Sequence, residues 1–362
     1  MSDNTLKIKE ESINNDDFSE NLKAAAGIKQ IQLQDEAEKR AEETNIPITR
    51  MIGGQQFFKS MRDNGYRSES QALSDLIDNA IEANATLIDV VVREKTKSDD
   101  GPGVAGDVFG FAVCDNGIGM TSKWTSGCIG FGNTSRAKNT TGLGRFGMGL
   151  SNASIAFTDR FEVFSKRKDQ MSNMSWFDFD VIDDDYLEKE LNNQTPPAIQ
   201  KTIKEAGHDW ISKYCDWDQY SSGTSVVLLN PDKSRLRTKK VKSLLDELKV
   251  HFAITYFKFH NDVEIRVNGE KIRFIDYNFT TPGLYGFDLD EQRAEDYGDK
   301  TYPINDENGD HLGNISIRAA LFPARFGMVD KSQPIQTNAN ANIRWRVMRE
   351  QRGLVISRNT LT

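Results

Sequence analysis

The stretch Gly142-Leu-Gly-Arg-Phe-Gly-Met-Gly149, running into Leu150-Ser-Asn-Ala-Ser-Ile-Ala156, constrains this chain more than any other segment. Glycines so closely spaced permit backbone conformations closed to other residues and let a ligand approach the main chain. Where such a run opens a helix, its N–H groups face outward, and the helix dipole favours an anion there. The run is not a Walker loop, because no Gly-Lys-Ser or Gly-Lys-Thr follows it. It fits a dinucleotide fingerprint poorly, because no clean strand directly precedes it. A glycine loop alone proves little, so the rest of the chain must say what it binds.

Upstream lies Ser70-Gln-Ala-Leu-Ser-Asp-Leu-Ile-Asp-Asn-Ala-Ile-Glu-Ala83. At helical spacing, Asp75, Asp78, Asn79 and Glu82 share one face, and Leu73, Leu76, Ile77, Ala80 and Ile81 share the other. The apolar stripe reads as core. The acidic stripe is either a solvated face or a site for a hydrated divalent cation, since Mg²⁺ takes oxygen ligands. No Lys or Arg within the segment balances its carboxylates. Next, Phe109-Gly-Phe-Ala-Val-Cys-Asp-Asn-Gly-Ile-Gly-Met120 brings Asp115 from an apolar strand into a turn with Gly117 and Gly119. Further on, Gly223-Thr224 enters the strand-like run Ser225-Val-Val-Leu-Leu229.

Around these motifs, residues 1–50 form a polar arm, helix-favouring from Asn21 to Thr44, that is either a frayed tail or an element packing on a partner subunit. Helix is expected over Ser68–Ala85 and Lys239–Phe259. Strands are expected at Leu87–Arg93, Val108–Cys114, Phe161–Arg167, Ser175–Val181, Thr224–Leu229, Val263–Val267, Glu270–Ile275, Asn314–Leu321 and Gly353–Ser357. Asn268-Gly269 reads as a hairpin turn. Asp183–Tyr220 reads as a helical insertion. The domain boundary falls near residue 250, giving units 51–250 and 251–362. The net charge of −8 argues against a protein that coats nucleic acid nonspecifically, though a local basic surface stays open. Cys114, Cys128 and Cys215 lack metal or disulfide-framework spacing, no signal peptide is indicated, and no membrane span is indicated. A reducing, cytoplasmic location is expected.

In their order, these motifs resemble the GHKL ATPases, whose Bergerat fold is shared by gyrase B subunits, MutL, ninety-kilodalton heat-shock chaperones, histidine kinases and microrchidia ATPases. The helix resembles the family's N box, Asp115-Asn-Gly-Ile-Gly119 its first glycine motif, and Gly144-Arg-Phe-Gly-Met-Gly149 its second. Gly223-Thr224 resembles the last. The stretch Ile129-Gly-Phe-Gly-Asn-Thr-Ser-Arg136, leading into the second glycine motif, looks particularly like microrchidia ATPases and their bacterial relatives. The resemblance covers roughly residues 50 to 230.

It implies an α+β chain: a Bergerat α/β sandwich binding ATP and Mg²⁺, then a transducer-like α/β domain of ribosomal S5 type, incomplete here. Asn79 would hold Mg²⁺. Asp115 would accept a hydrogen bond from the adenine amino group. Asp78, Glu82, Gly117, Gly119, Met120, Asn133 and Thr134 would belong to the nucleotide site. So would Gly142, Leu143, Gly144, Arg145, Phe146, Gly147, Met148, Gly149 and Thr224. Thr125–Gly142 would form the mobile lid. Asp75 stands where many members place the Glu that activates water. It is shorter by one methylene, roughly 1.5 Å, which suggests slow hydrolysis.

The sensor lysine of the transducer domain is either missing or Lys331. The function implied is an ATPase that dimerises on binding ATP, as a clamp or switch, in DNA transactions or bacterial antiphage defence. DNA and further protein subunits stay open as partners. A chaperone acting on protein clients and a nucleotide switch without turnover remain alternatives. A histidine kinase is disfavoured, since no His precedes His208.

Overall fold

The computed structural model describes residues 27–29, 31–39, 42–43, 55–63, 65–133, 147–168, 170–329 and 341–351. The chain divides into two compact units, Met1–Val241 and Lys242–Thr362.

In the first unit, α1 (31–39) is followed by α2 (Gln55–Asp63) and α3 (Glu69–Glu82). Ser68 begins α3 from an extended conformation and its side chain accepts from the Gln71 amide, so an orphan N–H of the first turn is satisfied. Leu73, Leu76, Ile77 and Ala80 are buried as expected, while Asp75, Asp78, Asn79 and Glu82 stay half-buried. Strands β1 (Leu87–Glu94), β2 (Val108–Asp115), β3 (Thr158–Lys166), β4 (Asn173–Asp178), β5 (Ile199–Gln200) and β6 (Gly223–Pro231) run in the order β5-β4-β3-β6-β2-β1. Each of these pairings is antiparallel.

Both faces of the central strands are covered, which explains their near-continuous apolar runs. Alternation still divides them. Ala112, Cys114 and Val227 join a core cluster with Phe164, Ile203, Ile211 and Trp217. Val113, Asp115, Thr224 and Val226 point instead to the face that carries the cleft described below. The segment 183–220 is therefore not a helical insertion. Its helices α6 (Asp184–Lys189) and α7 (Asp209–Ser212) are short, and its role is to bring Ile203, Ile211 and Trp217 under the sheet.

The start of the expected lid also differs. Helix α4 (Ser122–Gly127) holds Thr125 and Ser126 buried, and Ile129 and Phe131 follow them into the core. Apolar side chains at this spacing make the segment part of the wall. Most of the remaining lid, and Lys331 and Gly353–Ser357, lie outside the described residues. The basic run 233–242 is partly neutralised. Lys233 and Lys240 both pair with Asp107, at 3.1 and 2.7 Å, and Arg235 pairs with Asp63 and Asp232. Lys240 foremost, with the Val104 amide and Lys233, holds Asp107 well below the usual carboxylate range.

The second unit contains α8 (Val241–Thr255), the hairpin β7 (Glu264–Val267) and β8 (Glu270–Lys271), the ribbon β9 (Glu295–Asn305) and β10 (His311–Leu321), and α9 (Ile343–Glu350). Asn268 and Gly269 both take positive φ, 47° and 77°, as the Asn-Gly hairpin turn requires. Strand β9 was not legible, because Gly298, Pro303 and a run of acids mask it. It pairs with β10 with both strands largely exposed. The cluster Ala253, Ile254, Ile275, Phe279, Phe326 and Val347 forms this unit's core. Arg344 is wholly buried and bonds Asp290 at 2.7 Å. This side chain is therefore structural and offers no surface charge.

Candidate functional site

A cleft of about 980 Å³, open to solvent, lies on one face of the first unit's sheet. Asn79, Asp115, Gly119, Met120, Asn133, Gly147, Gly149 and Thr224 all line it, so three separate glycine-bearing motifs and the acidic helix converge on one space. Asp78, Glu82, Gly117 and Met148 are close in sequence but are not among the lining residues. Thr134, Gly142, Leu143, Gly144, Arg145 and Phe146 lie outside the described residues.

Asp115 anchors the site. It ends β2 and is only 6% exposed. Its Oδ1 accepts from the Gly117 amide at 2.7 Å and from the Thr224 amide at 3.3 Å. Oδ2 has no partner among the described residues. Burial pushes the carboxyl up to about 7, against the pull of the two amide bonds. Trp217 Nε1 donates to the Asp115 carbonyl at 3.1 Å, pinning the strand end. Thr224 Oγ1 meets Ser165 Oγ at 2.9 Å, and Ser165 Oγ also accepts from the Met120 amide at 2.9 Å. Ser165 was not foreseen, because nothing local in a strand marks a buttress that acts across three elements.

Close backbone approach explains the glycines. Gly119 has φ +66°, and a Cβ there would sit 1.9 Å from the Lys166 carbonyl oxygen. At Gly223 a Cβ would lie 2.0 Å from the Asp115 carbonyl oxygen. Gly147 takes φ +62° just before α5 (Gly149–Ile155).

Asp75 is not among the lining residues either, but it packs beside this loop, for a Cβ on Gly149 would stand 3.4 Å from Asp75 Oδ2. The Tyr66 hydroxyl donates to the same Oδ2. Burial raises the Asp75 carboxyl above its ordinary value, and the Tyr66 bond draws it partly back. Tyr66 carried no motif and escaped sequence reasoning.

The arm contributes as well. Gln34 of α1 lines the cleft and is buried. Its carbonyl accepts from Trp124 Nε1 at 3.1 Å, and its side chain accepts from Arg167. Glu38 accepts from Thr121 Oγ1 at 2.6 Å, and Asp35 pairs with Arg167 at 3.2 Å. The arm's helix thus packs on its own chain.

The cleft suits an adenine nucleotide. A buried carboxylate with one open oxygen takes an amino donor, and glycine backbones suit phosphates. Asn79 offers one neutral oxygen, which fits Mg²⁺ held mainly by phosphate oxygens and water.

Residues 66–209 match the family described as histidine kinase-, DNA gyrase B- and HSP90-like ATPase. Over 104 residues the chain is 38% identical to mouse ATPase MORC2B and 34% identical to human ATPase MORC2. It is 33% identical over 102 residues to human MORC family CW-type zinc finger protein 1. Each match spans 28% of this chain and only 9 to 10% of the relative. Residues 66–209 are therefore an ATPase domain of this type, and the fold and glycine motifs around the cleft agree with it. Among the described residues, no helix is long and apolar enough to cross a membrane.

Proposed function

We propose that this chain, through that ATPase domain, binds ATP with Mg²⁺ in the cleft, hydrolyses it slowly, and uses the cycle to drive dimerisation as a clamp or switch. The observation that carries the reading is Asp115: a buried carboxylate held by two amides with its second oxygen open to the cleft. That oxygen accepts the adenine amino group. Guanine presents a carbonyl at the same position, and two acceptors face to face leave both unpaired. Gly119 lets the base lie against the backbone. Gly144, Gly147 and Gly149 give N–H groups to the phosphates. Bound Mg²⁺, held by Asn79, would offset phosphate charge.

Asp75 handles the water. It takes a proton as the water oxygen forms a bond to the γ-phosphorus. The bond from that phosphorus to the bridging oxygen breaks, its electron pair stays on ADP, and Asp75 returns the proton to phosphate. The shorter side chain makes the step slow. Dimerisation follows if phosphate contacts order a segment that then forms part of an interface. ATP can drive this only through its higher affinity for the closed state. The second unit, with its Asn-Gly hairpin and mixed α/β content, is proposed as the transducer-like domain. Its ribbon is rich in acids, and Arg344 is buried, so DNA enters the proposal only as cargo of the assembled dimer.

The test is hydrolysis by the parent, Asp75→Asn and Asn79→Ala, alongside binding of a non-hydrolysable ATP analogue. Asp75→Asn is expected to keep analogue binding and lose about 10²–10⁴-fold in turnover. Asn79→Ala is expected to weaken Mg²⁺-dependent binding itself. Parent-rate hydrolysis by Asp75→Asn would remove Asp75 from the reaction.

A further inference from the structure

We infer that Tyr66 is a positioning residue for Asp75, fixing one carboxylate oxygen so that the other is presented to the attacking water. The inference rests on the hydrolytic role proposed for Asp75. Three observations support it. The Tyr66 hydroxyl donates to Asp75 Oδ2. That same oxygen lies against Gly149, at the loop that opens α5. Asp75 Oδ1 has no hydrogen-bond partner among the described residues, so one oxygen is committed and one is available.

The geometry answers a problem posed by the side chain. An aspartate is shorter than a glutamate by one methylene, and proton transfer demands a heavy-atom separation of about 3 Å or a bridging water. A short carboxylate free to rotate would spend little time aimed at that water. A hydrogen bond to one oxygen removes the rotation, leaving less orientational entropy to lose in the reaction. The donor must stay protonated to do this. Burial first, and then the carboxylates of Asp75 and Asp78, push the Tyr66 phenol well above its ordinary range, so it remains a donor at neutral pH. A purely structural role for the hydroxyl, as a clasp at the start of α3, is less well supported. Ser68 already caps that helix through its own side chain.

The experiment is Tyr66→Phe, which removes the hydroxyl and keeps the ring. Affinity for a non-hydrolysable ATP analogue with Mg²⁺ is expected to stay within about twofold of the parent, while turnover falls about 10- to 100-fold, the worth of one hydrogen bond to a charged group. In an Asp75→Asn background the same substitution is expected to cost no further turnover, because the carboxylate it serves is gone. A Tyr66→Phe protein that hydrolyses ATP at the parent rate overturns the inference. So does one that loses nucleotide binding or melting temperature together with turnover, which assigns the hydroxyl to structure. Losses that simply add in the double variant overturn it too. Failure of the parent to hydrolyse ATP at all is a different result: it defeats the hydrolase reading, and this inference with it.

Discussion

Replacing Asp115 with asparagine tests the recognition of the base by exchanging one oxygen for an amide of nearly the same shape. In the parent, Oδ1 is occupied by the Gly117 and Thr224 amides, and Oδ2 remains for the nucleotide. Asparagine has a single acceptor. If its oxygen keeps the two amides, its NH₂ faces the cleft and meets the adenine amino group donor to donor. Two losses then add: a hydrogen bond to a charged acceptor, about 1.5–3 kcal/mol, and an unpaired donor, about 1–3 kcal/mol. Together these predict ATP binding about 10²- to 10⁴-fold weaker. The same NH₂ can donate to a guanine carbonyl, so GTP should lose little or gain. Calorimetry with non-hydrolysable analogues of both nucleotides measures the two constants directly. A pH series adds a second signature. With the empty-site carboxyl near 7, the parent should bind ATP about tenfold more weakly at pH 6 than on its alkaline plateau, because the acceptor must first be deprotonated. Asp115→Asn supplies the baseline for titration of the phosphates themselves. An asparagine variant that binds ATP within about threefold of the parent, with the same pH profile, would refute the reasoning.

The remaining expectations are as direct. Asp115 also links stability to pH: its folded value of about 7 exceeds its ordinary 3.8, so its contribution to the empty protein is complete below that ordinary value and is lost as pH rises through 7. Melting curves without nucleotide should therefore show the parent losing ground to Asp115→Asn between about pH 4 and 7, and parallel curves would argue against the shift. Gly119→Ala should abolish nucleotide binding and lower the melting temperature, because its Cβ would meet the Lys166 carbonyl at 1.9 Å and the left-handed backbone adds about 1–2 kcal/mol. A variant that binds normally would mean the turn relaxes freely. With a non-hydrolysable analogue, light scattering should show a shift from monomer to dimer, and a chain that stays monomeric at saturation defeats the clamp reading.

How far the site was legible depends on whether its chemistry was local. Asp115 and its glycines were legible through their order with the other motifs, because an Asp-Asn-Gly turn by itself is common. The period of two that sends Val113 and Asp115 to the cleft, and Ala112 and Cys114 to the opposite core, is written in that strand. The acidic face of α3 was equally plain, since its period of 3.6 separates it from Leu73, Leu76 and Ile77. Where the structure departed from expectation, the deciding contacts joined distant residues. Residues 183–220 carry no sharp pattern and read as a helical insertion, yet sheet packing draws Trp217 and Ile211 inward and leaves only short helices. The family resemblance implied a lid over Thr125–Gly142, yet Thr125, Ile129 and Phe131 at its start are buried in the wall.

The arm carries that lesson into function. In the sequence, the helix-favouring stretch of residues 1–50 has no obvious core to join, so it reads either as a frayed tail or as an arm packing on a partner subunit. In the structure residues 31–39 find a seat in their own chain, through Gln34 on Trp124, Glu38 on Thr121 and Asp35 on Arg167. Those contacts are polar; Gln34 is buried, whereas Asp35 is exposed, so the Asp35–Arg167 pair is worth about 1 kcal/mol or less. Gln34 both lines the cleft and bonds Trp124 and Arg167, so anything that fills the cleft bears on the same residue that seats the arm. Any exchange of the arm between protomers would begin by breaking contacts already made within one.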